Sequence, residues 1–189
     1  AITALRALRR RELARIACAE LITRANSRVV AQGITDVTDV CLAGALTVAQ
    51  QVTAAEPAVT GEVAGYPADI ALIAMGRMGG REMGYGSDAD IMVVYAPARA
   101  ATDAAAQDFA HRTTTTLRTL LSDPGTEPAL ALDFDLRPEG RNGPLVRSLD
   151  SYAKYYANWS APWESQALLR ARVVTGDAVV AREYVNLIA

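Results

Sequence analysis

The sequence predicts an α+β fold, or a mixed α/β domain with flanking helical segments, and three observations predict it. Long apolar periodicity near 3.6 residues fills the first third of the chain. Short β-branched runs then surround a glycine-rich loop, and the last stretch returns to helical patterning. The 189 residues, 51% of them apolar, suit one domain of ordinary size with a real core, or one domain with a helical appendage.

Residues 4–31 are predicted as a helix, because Leu5, Leu8, Leu13, Ile16, Ala17 and Leu21 recur near helical spacing. The arginines between them, including the Arg9-Arg10-Arg11 run, are expected to face solvent. Gly33 is the expected stop, and Thr35-Asp36 the expected cap of a second helix over about 36–56, with Val37, Val40, Leu42, Leu46 and Val52 as its apolar side. Residues 1–60 should therefore form an antiparallel helical hairpin. Glu56 to Pro67, with two prolines and two glycines, reads as a connection.

Residues 61–150 are expected to form the core. Ile70–Met75 and Ile91–Tyr95 read as buried strands, and the segment from Gly76 to Gly86, with five glycines, as a tight loop between them. A helix is predicted over 101–121, although the Thr113–Thr116 run weakens it. Leu130–Leu136 alternates like a third strand, Arg137–Gly143 forms a second loop, and Leu145-Val146 a short further strand. Residues 151–189 should begin a following helical region, with helices at 149–157, 160–171 and 177–188. Both ends fall inside helical patterns and no initiator Met opens the chain, so a piece of a longer protein is expected.

Composition excludes several function classes. A formal net charge of -2 rules out a nucleic-acid binder that works through bulk charge. Lys154 is the only lysine, so a Walker A loop is absent and any phosphate must meet arginine, backbone N–H groups or metal. Cys18 and Cys41 with the lone His111 cannot build a standard zinc site. The cysteines read as buried thiols in a reducing cytoplasm, the expected compartment, and His111 as a solvated helix residue. No apolar run approaches the ~20 residues of a membrane span, and the charged N-terminus does not read as a secretory signal. Neither a nucleic-acid nor a membrane partner is expected.

The chemistry is concentrated in Gly79-Gly80-Arg81-Glu82-Met83-Gly84-Tyr85-Gly86-Ser87-Asp88-Ala89-Asp90. Residues two apart on a strand share a face, so Asp88 and Asp90 should project together where the second strand begins. Two adjacent carboxylates repel unless a cation lies between them, and hard oxygen ligands suit Mg²⁺. Asp133 and Asp135, also two apart, offer a third carboxylate, and the local pattern does not choose between them. Three such groups can hold metal on a transferred phosphoryl group. The glycines, Gly79 and Gly80 first, can bring backbone N–H groups to phosphate oxygens, and Ser87 adds a hydroxyl. Arg137 and Arg141 in the second loop suit the triphosphate or departing pyrophosphate. An Asp-x-Asp pair alone also serves turns and sugar-nucleotide glycosyltransferases. The combination of strand, Gly-Gly, six-residue loop, Ser-Asp-x-Asp and strand is far narrower.

That combination resembles the nucleotidyltransferase superfamily, related in core fold to DNA polymerase beta, which implies a small mixed β-sheet. The longer stretches AMGRMGGREMGYGSDADIMVVY, LDFDLRPEGRNGPLVRSLDSYAKYY and WESQALLRARVVTGD resemble the glutamine synthetase adenylyltransferase family over roughly 68–178. Members carry two copies of this domain. One transfers AMP from ATP to a tyrosine of glutamine synthetase and releases pyrophosphate, which regulates nitrogen assimilation; the other removes it by phosphorolysis, releasing ADP. Gly84, where the removing copy more often has Asn, and the WESQALLRARVVTGD stretch point to the adenylylating, C-terminal copy.

The resemblance implies Mg²⁺, ATP and glutamine synthetase as cofactor, substrate and partner, with a PII-type signalling protein acting through the full-length enzyme. It also selects Asp133 as the third metal ligand, five positions before Pro138, and leaves Asp135 where relatives often carry Arg. Arg77 stands where relatives frequently have Lys. Trp163, Gln166 and Arg170 share a helix face, and two readings stand: packing on the sheet with Glu164 in a buried pair with an arginine, which the resemblance favours, or contact with the nucleotide. The alternatives are the phosphorolytic reaction at the same carboxylates, or a catalytically silent docking module.

Overall fold

The computed structural model describes residues 1–56 and 65–189. The predicted boundary at residues 60 and 61, and most of the connection around it, lies outside the described residues. Two long helices open the chain, α1 (Ile2–Thr23) and α2 (Ser27–Ala54), packed side by side. The break falls at residues 24–26 and not at Gly33. Arg24 adopts a left-handed conformation (φ 52°), and the Asn26 side chain caps α2 by accepting the Arg28 N–H at 2.8 Å. Gly33 lies inside α2, where a Cβ would sit 3.3 Å from Ile16 of α1. Its lack of a side chain serves helix contact, not helix termination. Thr35, the expected cap, returns its hydroxyl to the Ala31 carbonyl within the helix.

The arginine face of α1 is only partly solvated. Arg6 and Arg9 are buried, and Arg6 donates to the carbonyls of Asp123, Glu127 and Pro128. Arg10 pairs with Glu127 at 2.6 Å. Of the two cysteines Cys41 is buried, but Cys18 is exposed. Helix α2 is long and apolar enough on average to cross a membrane, contrary to expectation, although Arg28, Asp36 and Asp39 interrupt its apolar runs. Its Ile34, Leu42, Ala45, Leu46 and Ala49 instead line the protein core at helical spacing.

The middle of the chain builds a sheet. It runs β1 (Ala68–Ala74), α3 (Gly76–Gly79), β2 (Ala89–Pro97), α4 (Asp103–Ser122), β3 (Leu132–Asp133), a 3-10 turn (Gly140–Asn142) and β4 (Arg147–Ser148). Then follow α5 (Leu149–Asn158), α6 (Pro162–Leu168), β5 (Arg172–Gly176) and α7 (Ala178–Ile188). The strands lie in the order β3-β2-β1-β5, and β4 joins β2 beyond β3 on the same side. Strand β1 is antiparallel to β2 and β5, while β2 is parallel to β3 and β4, so the sheet is small and mixed. The fold is α+β, as predicted.

Three elements depart from the prediction, and the first has a local cause. The third strand shrinks to two residues because the Leu130 N–H is tied back to the Leu121 carbonyl, and the Asp135 N–H folds onto Asp133 Oδ1 at 2.6 Å. The predicted strand at Leu145-Val146 is displaced to Arg147–Ser148. The helix predicted over 160–171 stops at Leu168, and a strand the sequence did not reveal, β5, begins at Arg172. The threonine run is tolerated in α4 because Thr114 and Thr115 bond back to the carbonyls of Ala110 and His111.

Strand alternation divides the core in two. Ile70, Leu72 and Ala74 of β1, with Ile91, Val93 and Tyr95 of β2, face α1, α2 and α4. Ala71 and Ile73, with Met92 and Val94, face Tyr152 of α5 and Val180, Ala181 and Tyr184 of α7. A sheet buried on both faces explains why its two central strands read as continuous apolar runs.

Candidate active site

Antiparallel pairing ends where β1 leaves the sheet and β2 enters it, with the Met75 N–H bonded to the Asp90 carbonyl at 2.8 Å. The chain between them turns through α3 and a loop that closes on itself. Ser87 is buried, its Oγ accepts the Gly84 N–H at 2.9 Å, and its own N–H returns to the Gly84 carbonyl. Ser87 thus shapes the turn that delivers Asp88. Further out, Arg81, itself left-handed (φ 58°), pairs with Asp36 of α2. Glu82 pairs with Arg170 at 2.6 Å, and the Tyr85 hydroxyl donates to Glu20 of α1 at 2.7 Å.

The structure brings Asp88, Asp90 and Asp133 together. One carboxylate oxygen from each lies within 4.8 Å of the other two, and all three residues are half-buried. Parallel pairing of β2 with β3 sets Asp90 opposite Asp133, although 42 residues separate them in the chain. Burial is the main cause that pushes the Asp90 carboxyl up to about 6, and the charges of Asp88 and Asp133 add to it. Arg77 opposes the shift, and its guanidinium stands 3.8 Å from Asp88. Three hard, like-charged oxygen donors in this arrangement fit a divalent cation such as Mg²⁺.

Asp135 does not join the cluster. Past the end of β3 its carboxylate turns to Arg141 and lies 3.7 Å from Arg137. The expectation that Asp133 and Asp135 share a strand face fails because the strand ends between them.

The phosphate donors expected from sequence are arranged differently. The Gly79 and Gly80 N–H groups are taken by the carbonyls of Met75 and Gly76, so neither is free for a phosphate. Gly79 serves a close approach instead, since a Cβ there would collide with the Arg170 carbonyl. Arg137 is spent as well. Its nitrogens donate to the carbonyls of Phe134, Arg141, Gly143 and Pro144, stapling the second loop. Arg141 is exposed, and among the described residues its guanidinium pairs with Asp135 alone.

One site residue escaped the sequence reading, and another was read with the wrong partner. Gly76, with φ +50°, lies directly against the Asp90 carboxylate, and a Cβ there would overlap it. A glycine immediately after a buried strand was the available signal. Glu164 is buried as expected, yet its partners are backbone N–H groups and a tyrosine, not an arginine. Trp163, expected to pack on the sheet, is 46% exposed.

Comparison with known proteins bears on this geometry. The family model described as glutamate-ammonia ligase adenylyltransferase matches residues 1–186. A protein of Mycobacterium avium (strain 104) is 48% identical over 184 residues, 97% of this chain and 18% of the relative. One of Mycobacterium tuberculosis (strain ATCC 25618 / H37Rv) is 47% identical over 188 residues, 100% of this chain and 18% of the relative. One of Streptomyces coelicolor (strain ATCC BAA-471 / A3(2) / M145) is 41% identical over 201 residues, 100% of this chain and 19% of the relative. All three are named bifunctional glutamine synthetase adenylyltransferase/adenylyl-removing enzyme. The chain thus spans about a fifth of the length of these relatives.

Proposed function

The chain belongs to the glutamate-ammonia ligase adenylyltransferase family, and from that membership we propose that it transfers AMP from ATP to a tyrosine of glutamine synthetase, releasing pyrophosphate. The observation that carries the reading is the convergence of Asp88, Asp90 and Asp133 at the mouth of the glycine-rich loop. In this reading Asp88, Asp90 and Asp133 would hold Mg²⁺ beside the nucleotide phosphates. When bound, the metal neutralises charge on the phosphates and on the leaving pyrophosphate.

The chain's own residues supply position and charge. The tyrosine oxygen attacks the α-phosphorus, the new O–P bond forms as the bond to pyrophosphate breaks, and the phenol proton passes to Asp133. Arg141, exposed and tethered only to Asp135, reaches the departing pyrophosphate. Arg137, Ser87, Gly79 and Gly80 act on the shape of the two loops and not on the phosphates directly. Positioning of this kind provides most of the rate in phosphoryl and nucleotidyl transfer.

The relatives' name also contains an adenylyl-removing activity, and the same carboxylates would serve phosphate attack on AMP-tyrosine. The test is the intact mass of glutamine synthetase after incubation with this chain, ATP and Mg²⁺, beside an Asp88→Asn control. A gain of one AMP per subunit, absent in the control, establishes adenylylation. Phosphate-dependent loss of AMP from adenylylated synthetase selects the reverse direction. Neither change, together with no metal-dependent ATP binding, leaves the docking module.

A further inference from the structure

Glu164 is a buried carboxylate, 3% exposed, and no ion pair reaches it among the described residues. Three donors converge on it instead. Its Oε2 accepts the Ala161 N–H at 2.7 Å, and its Oε1 accepts the Tyr155 hydroxyl at 2.9 Å and the Glu139 N–H at 3.1 Å. Only an acceptor-only side chain satisfies that set, since an amide would turn an NH₂ group toward one of the donors. The bond to Ala161 alone would cap α6. The other two leave the helix, one for α5 and one for the loop that follows Asp133.

That loop depends on the contact. Glu139 is left-handed, φ 64°, a conformation that L-residues other than Asn and Asp rarely hold without support. It is fixed at both ends: its N–H by Glu164, and its carboxylate by Arg147, whose guanidinium lies 5.0 Å from the centre of the Tyr155 ring. Within the loop, Arg137 binds four carbonyls between Phe134 and Pro144, which ties the segment into one hydrogen-bonded unit. Asp133 stands at its entrance, with its Oδ1 bound to the Asp135 N–H, and Arg141 at its far side.

We infer that Glu164 is a positioning residue for nucleotide binding, holding Glu139 and thereby setting the unit that presents Asp133 and Arg141. The inference rests on the nucleotidyl-transfer reading above. It predicts weaker nucleotide binding when Glu164 is lost, through the displacement of Asp133 and Arg141, since the partners of Glu164 are Ala161, Tyr155 and Glu139 and not the cluster itself.

The experiment is calorimetric binding of a non-hydrolysable ATP analogue with Mg²⁺ to the 189-residue chain, its Glu164→Gln variant and its Glu164→Ala variant, with melting temperature followed in parallel. Glu164→Gln keeps one acceptor oxygen for Tyr155 and Glu139 and is the variant safest for folding. The expected result is affinity about threefold weaker in Glu164→Gln and about tenfold or more weaker in Glu164→Ala, the latter a loss comparable to one charge-assisted hydrogen bond. In turnover, the KM for ATP should rise while the KM for the protein substrate stays within about twofold. Variants that melt earlier yet bind the analogue like the parent would overturn the inference and leave the proposed reaction standing. A parent chain that does not bind it at all would remove the reaction and the inference together.

Discussion

At the scale of single residues, the site is held together against its own charge. Asp90 has its carboxyl pushed from 3.8 to about 6 in the folded chain, so the folded state binds more protons than the unfolded state between those values. Stability without metal should therefore fall as pH rises through that window and level off above it. Asp90 is only half-buried, so solvent screening reduces the loss to about 1–2 kcal/mol. Denaturant titrations of the metal-free protein at several pH values should show that slope, and Asp90→Asn should flatten it. Under the proposed reaction the same variant, like Asp88→Asn, should lower AMP transfer by about a thousandfold or more, because charge stabilisation at the reacting phosphate would be removed. Unchanged circular dichroism alongside that loss separates chemistry from folding. The Asp88–Asp90 pair was legible because its information is local: two carboxylates two apart, at the start of an apolar run. The phosphate donors were not legible, because whether an N–H or a guanidinium is free depends on which carbonyls the fold sets opposite it. Arg137 and Gly79 show this, being equally plausible as ligand contacts until their partners are known.

At the scale of elements, β1 and β2 are read well, while β3 is drawn too long, β5 is missed and the break between the first two helices is misplaced. Gly33 looks like a stop because glycine usually ends helices, yet here it makes room for Ile16, while the true break is left to Arg24 and Asn26. Strand β5 is only five residues long and half-buried between two helical patterns, too weak a signal to separate from them. It nonetheless brings Arg170 and Arg172 against the site loop, Arg172 binding Asp39 of α2 at 2.8 Å and the Met78 carbonyl. Gly79→Ala drives a methyl into the Arg170 backbone, which cannot move without shifting β5. We expect a loss of about 2–4 kcal/mol, in the range of severe overpacking, measured by urea unfolding with a lower midpoint and unchanged slope. Arg6 joins α1 to the turn after α4 through three carbonyls. Arg6→Ala strands those acceptors and should destabilise the fold by about 1–3 kcal/mol.

At the scale of the whole molecule, one sheet is shared by two cores, one under the helical hairpin and one under α5 and α7. Because β1 and β2 contribute to both, the two should not melt separately. Ile34→Ala on one side and Tyr184→Ala on the other remove fully buried side chains and should each cost about 2–5 kcal/mol. Each should move a single thermal transition, and the appearance of two transitions would separate the cores. The division has another consequence, which concerns gaps in the chain more than exchanges of side chains. Along β2, odd-numbered positions from Ile91 supply one core, while Met92 and Val94 supply the other, in step with Asp90. Deleting one residue between Asp90 and Met92, with the rest of the strand kept in register, would slide the upstream segment by one place. An apolar side chain would then enter the acidic cluster and a carboxylate would face the hairpin. The length of the Ser87–Ile91 segment is thus as strictly specified as its composition.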